Sequence, residues 1–223
     1  RVRLEHVAFG SVLGEDRKPY RARSGESVRL KDLLDEAVAR ARRLVEENDA
    51  RRGDDAGQAP LSDAEKDAIA EAVGIGSVKY ADLCQNRGSD YVFSWDKMLA
   101  MQGNTAPYLM YAHARIRSIF RKGAATCDDA PIVLEHAAER ALGMRILQFG
   151  ETLSAVSTTL LPNLLCDYLY ELAGAFMAFY ENCPVLRAPD EETRVARLRL
   201  CDLAARTLKL GLGLLGIRAL QRM

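Results

Sequence analysis

Apolar residues recur every three or four positions along most of this chain, which is the spacing of a helix with one buried face. The pattern begins at Ser27 and predicts a first helix that ends near Asn48. A second helix is predicted from Ser62 to Gly74, because Ser62 and Glu65 have the spacing of a capping box. Further helices are predicted over residues 94–101, 104–122, 133–149, 150–161, 162–182 and 190–220.

The N-terminal residues depart from this helical pattern. Residues 2–13 are rich in β-branched and aromatic residues with rough alternation, which predicts one or two short strands. A polar, basic loop over residues 14–25 follows them. The fold is therefore predicted to be mainly α, with residues 94–223 as a helical bundle and residues 1–25 as the tail of a strand-containing domain.

Charge is balanced over the whole chain but unevenly distributed along it. The 223 residues include 31 basic and 31 acidic side chains. Residues 97–127 carry five basic and no acidic groups, residues 194–223 carry seven and one, and residues 128–193 between them carry three and eleven. The balance excludes a uniformly basic protein, but the two basic stretches predict a cationic face if they pack side by side.

Composition excludes several other classes of protein. No apolar run reaches the roughly 18 residues of a membrane span, so no span is predicted. The five cysteines form no CxxC pair, which predicts reduced thiols and a cytoplasmic location. The three histidines lack HExxH spacing, so no metal site is predicted. The first residue is Arg rather than Met, which indicates a piece of a longer chain.

A literal GxGxxG match occurs at residues 211–216. A dinucleotide-binding site would need a preceding strand and a surrounding βαβ unit, whereas here the preceding pattern is helical. The three glycines are therefore interpreted as small residues that allow close packing between helices.

Residues 103–122 carry the clearest candidate chemistry. Their apolar stripe comprises Leu109, Ala112, Ile116, Ile119 and Phe120. One flank comprises Tyr108, Tyr111, Arg115 and Lys122, and the other comprises Met110, Arg117 and Arg121. Tyrosine rings interleaved with arginines suit single-stranded RNA, since the rings stack on bases while the cations meet phosphates. The alternative is an amphipathic helix whose tyrosines cover the edge of the core, and the pattern alone leaves both open.

The basic loop is a second candidate site. Its side chains and backbone could bind phosphate through Lys18, Arg21, Arg23, Ser24 and Gly25. The alternative is an ordinary surface loop without a ligand.

At these same residues the chain strongly resembles the C-terminal half of the arginyl-tRNA synthetases. The resemblance rests on four stretches, which are HVAFGSVLGEDRKPYRARSGESVRLKDLLDEAV (6–38), KYADLCQNRGSDYVFSWDKML (79–99), GNTAPYLMYAHARIRSIFRK (103–122) and LGLLGIRALQRM (212–223). Together they extend over nearly the whole chain, and the second and third are highly specific to this family.

The resemblance implies an activity and a division into domains. The family uses ATP, with Mg²⁺, to activate arginine on a Rossmann-like domain, and then esterifies the arginine to tRNA. Residues 1–97 would be the end of that catalytic domain, and residues 98–223 the all-helical anticodon-binding domain. The family's His-x-Gly-His element is absent here, so this chain alone is expected to be inactive and to hold no bound cofactor.

The resemblance also assigns site residues. Lys18, Arg21, Arg23 and Ser24 belong to KPYRARSG, which matches the family's degenerate KMSKS loop and would neutralise the departing pyrophosphate. Arg21 and Ala22 stand where Lys and Thr are usual, which leaves the loop's fine details open. The tRNA contacts would be Tyr108, Tyr111, Arg187 and Met223, and Arg115 follows on the same flank of the helix. Cys183 and Arg187 both stand where relatives often carry aromatic residues, and Cys183 is not taken as a contact.

The expected partners follow from the same resemblance. They are the arginine isoacceptor tRNAs and the missing N-terminal half of the enzyme in cis, with no membrane and no DNA. The alternative function is a helical protein-interaction or scaffold module without an RNA ligand. Salt-dependent binding to tRNA would distinguish the two.

Overall fold

Helices make up most of the chain in the computed structural model, which describes residues 4–14, 16–18, 29–52, 60–123 and 131–223. The helices are α1 (Leu30–Arg52), α2 (Asp63–Leu83), α3 (Trp95–Met98), α4 (Ala106–Gly123), α5 (Ala137–Leu147), α6 (Phe149–Thr159), α7 (Asn163–Asn182) and α8 (Glu191–Leu214), and the strands are β1 (Val12–Leu13) and β2 (Tyr91–Val92). The prediction of a mainly α fold with a strand-containing N-terminal region is confirmed.

Helices α1 and α2 form an antiparallel hairpin whose second helix is longer than predicted. The capping box at its start is confirmed, since Ser62 Oγ accepts from the Glu65 N–H at 3.3 Å and Glu65 accepts from the Ser62 N–H at 2.9 Å. The predicted end at Gly74 is wrong, because α2 continues to Leu83. A β-carbon at Gly74 would lie 2.7 Å from the Cα of Val38, so this glycine allows close helix packing and does not end the helix.

The core of the bundle lies around α7, which packs against α4, α5, α6 and α8. Leu169 and Phe176 of α7 are fully buried with Ile116 of α4, Leu142 of α5 and Leu208 of α8. Leu169 and Phe176 stand seven positions apart, about two helical turns, so both lie on one face of α7. No helix within the described residues combines the length and the apolar character that crossing a bilayer requires.

The two strands are parallel and short. Val12 pairs with Tyr91 and Leu13 with Val92, so only the end of the predicted 2–13 strand region is a strand among residues 4–13. Arg87 joins this sheet to the bundle, since its guanidinium donates to the carbonyls of Ala8 at 3.0 Å and Leu160 at 2.8 Å. The sheet is therefore attached to the C-terminal end of α6.

The last helix ends earlier than predicted. The periodic pattern extended to residue 220, but α8 ends at Leu214, and Gly216 has a φ of +69° that turns the chain back. A β-carbon at Gly211 would lie 2.5 Å from a methyl group of Leu169, whereas one at Gly213 would meet nothing within 4 Å. The packing interpretation of the GxGxxG match is thus confirmed at Gly211, and Gly216 serves the turn instead.

Candidate nucleic-acid interface

Helix α4 buries the apolar stripe that the sequence predicted. Leu109, Ala112 and Ile116 are fully inaccessible to solvent. The placement of Met110 on a polar flank is wrong, because Met110 is also fully buried. Its terminal methyl group packs against α2 at Gly76, where a β-carbon would lie only 2.6 Å away.

The tyrosine-bearing flank of α4 is half-buried and faces α7. The Tyr108 ring packs against the Tyr170 ring with centroids 5.6 Å apart. The Arg115 guanidinium carbon lies 4.6 Å from the ring centroid of Tyr180 and 5.6 Å from that of Tyr111. Arg115 also donates to the Tyr111 hydroxyl at 3.1 Å. These five side chains of α4 and α7 are called the aromatic–arginine surface below.

Tyr170 and Tyr180 were not predicted as site residues. Their accessible fractions are 38% and 36%, which leaves part of each ring open to solvent. The available sequence signal is weak: Tyr170 precedes Glu171, and Tyr180 precedes Glu181, so each tyrosine stands beside a polar position. A third tyrosine on the same helix, Tyr168, is buried, so the sequence of α7 does not separate core rings from surface rings.

The aromatic–arginine surface presents ring faces and a delocalised cation together. Burial raises the pKa of Tyr108, with smaller contributions from Tyr170 and Glu181, so its hydroxyl stays protonated at neutral pH. The π-faces can stack on unpaired bases, and the guanidinium of Arg115 can meet a base or a phosphate. The surface therefore has the chemistry that single-stranded RNA requires.

The predicted cationic face is only partly formed. Helices α4 and α8 do pack together, but several of their arginines have acidic partners. These pairs are Arg117–Asp202, Arg194–Glu191, Arg197–Glu139 and Arg206–Asp202. These ion pairs favour a solvated, charge-balanced face on α8 over a continuous polyanion site.

The turn between α7 and α8 separates its two candidate residues. Arg187 is exposed, whereas Cys183 is completely buried. Burial raises the pKa of the Cys183 thiol. Its burial agrees with leaving Cys183 out of the expected RNA contacts.

Met223 lies at the first turn of α4. Its half-buried side chain lines a small cleft with Met101, Pro107 and residues of α1 and α2. The structure thus brings Tyr111 and Arg115 into contact and places Tyr108 on the same flank of α4 against Tyr170. Met223 lies at the start of the same helix, and Arg187 lies in the turn after α7.

The basic loop is described only at its start. Lys18 is exposed, and its carbonyl accepts from the Gly14 N–H at 2.8 Å in a tight turn. Arg21, Arg23 and Ser24 lie outside the described residues.

Comparison with known proteins places the chain in a family. A family model described as the DALR anticodon binding domain matches residues 109–223, and one described as the class I tRNA synthetase (R) catalytic domain matches residues 1–95. The arginine–tRNA ligase of Klebsiella pneumoniae (strain 342) is 52% identical over 225 residues. The chain belongs to the arginyl-tRNA synthetase family. It corresponds to the C-terminal part of that family's proteins.

Other members of the family give the same result. The arginine–tRNA ligase of a Synechocystis strain is 56% identical over 98% of this chain. The solved arginyl-tRNA synthetases of Thermus thermophilus and Plasmodium falciparum superpose on 98% of the chain with TM-scores of 0.82 and 0.80, at 32% and 33% identity. This chain spans 37% of the length of the two curated relatives and 35% of each of the two solved chains.

Proposed function

We propose that this chain is the anticodon-recognising part of an arginine–tRNA ligase and binds arginine isoacceptor tRNAs in the cytoplasm. The observation that carries the proposal is the DALR anticodon binding domain match, which includes four of the five side chains of the aromatic–arginine surface. The alternative of a scaffold module without RNA is not favoured by these family matches.

The proposed tRNA contacts are Tyr108, Tyr111, Arg115, Arg187 and Met223, with Tyr170 and Tyr180 added from the contacts in α7. One ring pair, Tyr108 with Tyr170, and the stacked Arg115 guanidinium suit the anticodon loop, whose bases are unpaired and can splay out onto aromatic side chains. The proposed domain division is residues 1–97 for the end of the catalytic domain and 98–223 for tRNA recognition, with the N-terminal remainder of the enzyme acting in cis.

The test of this function is tRNA binding by Tyr111→Ala. Loss of one base–aromatic stack is worth about 1–3 kcal/mol, so the dissociation constant for arginine tRNA should rise about fivefold to 150-fold. Filter binding at fixed salt measures this dissociation constant. For transcripts with altered anticodons, the wild type and Tyr111→Ala should no longer differ in affinity.

Tyr91→Ala is the matched control, since Tyr91 is also a half-buried tyrosine but lies in β2, outside the aromatic–arginine surface. It should bind tRNA like the wild type. If Tyr111→Ala lowers the melting temperature but leaves the affinity of the folded protein unchanged, the ring only covers the core edge and the proposed contact is wrong.

The basic loop is proposed to act in ATP-dependent activation of arginine in the longer enzyme. Lys18, Arg21 and Arg23 would neutralise charge on the departing pyrophosphate, and Ser24 would donate a hydrogen bond. Among the described residues, no three His, Cys, Asp or Glu side chains lie together as a group that could hold a metal ion.

In the full-length enzyme, Arg21→Ala should lower the rate of ATP–pyrophosphate exchange about tenfold to a hundredfold, because one transition-state contact is lost. The melting temperature should change little, because the proposed role of Arg21 is in the reaction and not in folding. Unchanged exchange together with a large loss of stability would contradict the assignment.

A further inference from the structure

The residues after α8 form a tail that contacts both α2 and α4. This C-terminal tail, residues 215–223, begins where Gly216 reverses the chain and the Ile217 N–H donates to the Leu212 carbonyl at 2.9 Å. Leu215, Ile217 and Leu220 are buried, so the tail belongs to the packed structure.

Three polar side chains of α4 hold the end of the tail. His113 Nδ1 lies 2.7 Å from the Leu220 carbonyl oxygen. Arg121 donates to the Gln221 carbonyl at 2.7 Å, and Arg117 donates to the Gln221 side chain at 3.2 Å. The backbone immediately before Met223 is therefore fixed from one helix.

Helix α2 holds the same tail from the other side. Lys79 donates to the Gly216 carbonyl at 2.8 Å, and Arg218 of the tail donates to the Ala68 carbonyl. Ile217 packs at Gly76, where a β-carbon would lie 3.2 Å from its side chain. Helix α2 lies in the part of the chain that matches the catalytic-domain model. Helix α4 lies almost wholly in the part that matches the anticodon-binding model. The tail therefore connects these two parts of the chain.

His113 differs from the other donors because it is buried, with an accessible fraction of 1%. A carbonyl oxygen only accepts, so Nδ1 must carry the proton in this contact. Burial lowers the pKa of His113, and the charges of Arg117 on α4 and Lys209 on α8 lower it further, against the hydrogen bond to Leu220, which raises it. The neutral ring therefore donates at neutral pH.

We propose that His113 is a positioning residue for tRNA binding, which holds the Leu220 carbonyl and thereby sets the position of Met223 beside Pro107 at the start of α4. Pro107 directly precedes Tyr108, so the tail end and the aromatic–arginine surface meet the same turn of α4. The inference rests on the proposed tRNA-binding function. Removing the donor leaves a buried carbonyl without its partner and weakens the hold on the tail end, which then depends on the contacts of Arg117 and Arg121 with Gln221.

The test compares His113→Leu with His113→Asn in the 223-residue chain. An asparagine amide nitrogen is bonded to Cγ, as Nδ1 is in histidine, so it can donate to the same carbonyl, whereas leucine cannot. His113→Leu should bind arginine tRNA about tenfold more weakly, equivalent to about 1.4 kcal/mol. His113→Asn should bind within about threefold of the wild type.

A deletion of Met223 separates positioning from general stability. If His113 acts through the tail end, His113→Leu should cause little further loss of affinity in the Met223-deleted chain, since coupled changes are not additive. An equal loss with and without Met223, or wild-type affinity in folded His113→Leu, would overturn the proposal. Absence of tRNA binding by the wild-type chain would overturn the proposed function itself, and with it this role of His113.

Discussion

Replacing Arg197 by alanine is expected to lower the free energy of unfolding by about 3 kcal/mol, because it leaves a buried carboxylate without its cation. Glu139 is 2% exposed, and Arg197 Nε donates to it at 2.7 Å. Urea denaturation followed by circular dichroism measures the change. Arg206→Ala on the same helix is the control, since its side chain is 75% exposed and its contact with Asp202 is long at 3.8 Å. Arg206→Ala should change stability by less than about 0.5 kcal/mol.

The pH dependence of this difference provides a second check. Burial raises the pKa of Glu139, but the hydrogen bonds from His136, Arg197 and Glu135 outweigh it, and the pKa is lowered from its ordinary value of 4.5. A carboxyl group whose pKa is lower in the folded state stabilises the fold above its unfolded pKa, and this stabilisation disappears as the pH falls through the folded pKa. The difference in the free energy of unfolding between wild type and Arg197→Ala should therefore have its full value at pH 7 and become smaller below about pH 4.5.

The same arginine supports the proposed tRNA contact at Arg187. Arg197 Nη1 donates to the Pro184 carbonyl at 2.9 Å, so it fixes the turn that carries Arg187.

The stability prediction would be contradicted if Arg197→Ala and Arg206→Ala destabilised the chain equally. The two backbone N–H groups that donate to Glu139 would then be enough to stabilise its buried charge, and the Arg197–Glu139 ion pair would not be important for stability.

Sequence periodicity predicted the bodies of the helices well but not all of their ends. A helix body is encoded locally, since each apolar residue has its neighbours three and four positions away. Whether a helix ends at a glycine is not determined locally, as the contrast between Gly74 and Gly216 shows. Gly74 lies inside α2 against Val38, which is distant in sequence, whereas Gly216 has positive φ and ends α8. Both present the same signal in the sequence, and only the packing partner distinguishes them.

Of the candidate site, the sequence likewise predicted only the part that lies on a single helix. The flank of α4 with Tyr108, Tyr111 and Arg115 follows from helical spacing alone. Tyr170 and Tyr180 join it only because α7 packs against α4, and a single sequence does not say which helices are neighbours. The burial of Cys183 depends on the same tertiary packing, so the sequence alone does not distinguish it from the exposed Arg187 in the same turn.

Gly74→Ala is expected to destabilise the chain by about 1–3 kcal/mol, although alanine is ordinarily the better helix former. Its β-carbon would lie 2.7 Å from the Cα of Val38, and backbone cannot move aside as a flexible side chain can, so α1 and α2 must separate. Gly174→Ala in α7 is the matched control, because a β-carbon there meets nothing within 4 Å.

The two substitutions should therefore change stability in opposite directions. Gly174→Ala should stabilise the chain by up to about 1 kcal/mol, since it adds helix propensity without a clash. Urea denaturation of both variants under the same conditions measures the two free energies. Because the added methyl group is the same, a stabilising effect of Gly74→Ala would mean that α1 and α2 can separate at little cost. The interpretation of Gly74 as a packing residue would then be wrong, and the length of α2 would need another cause.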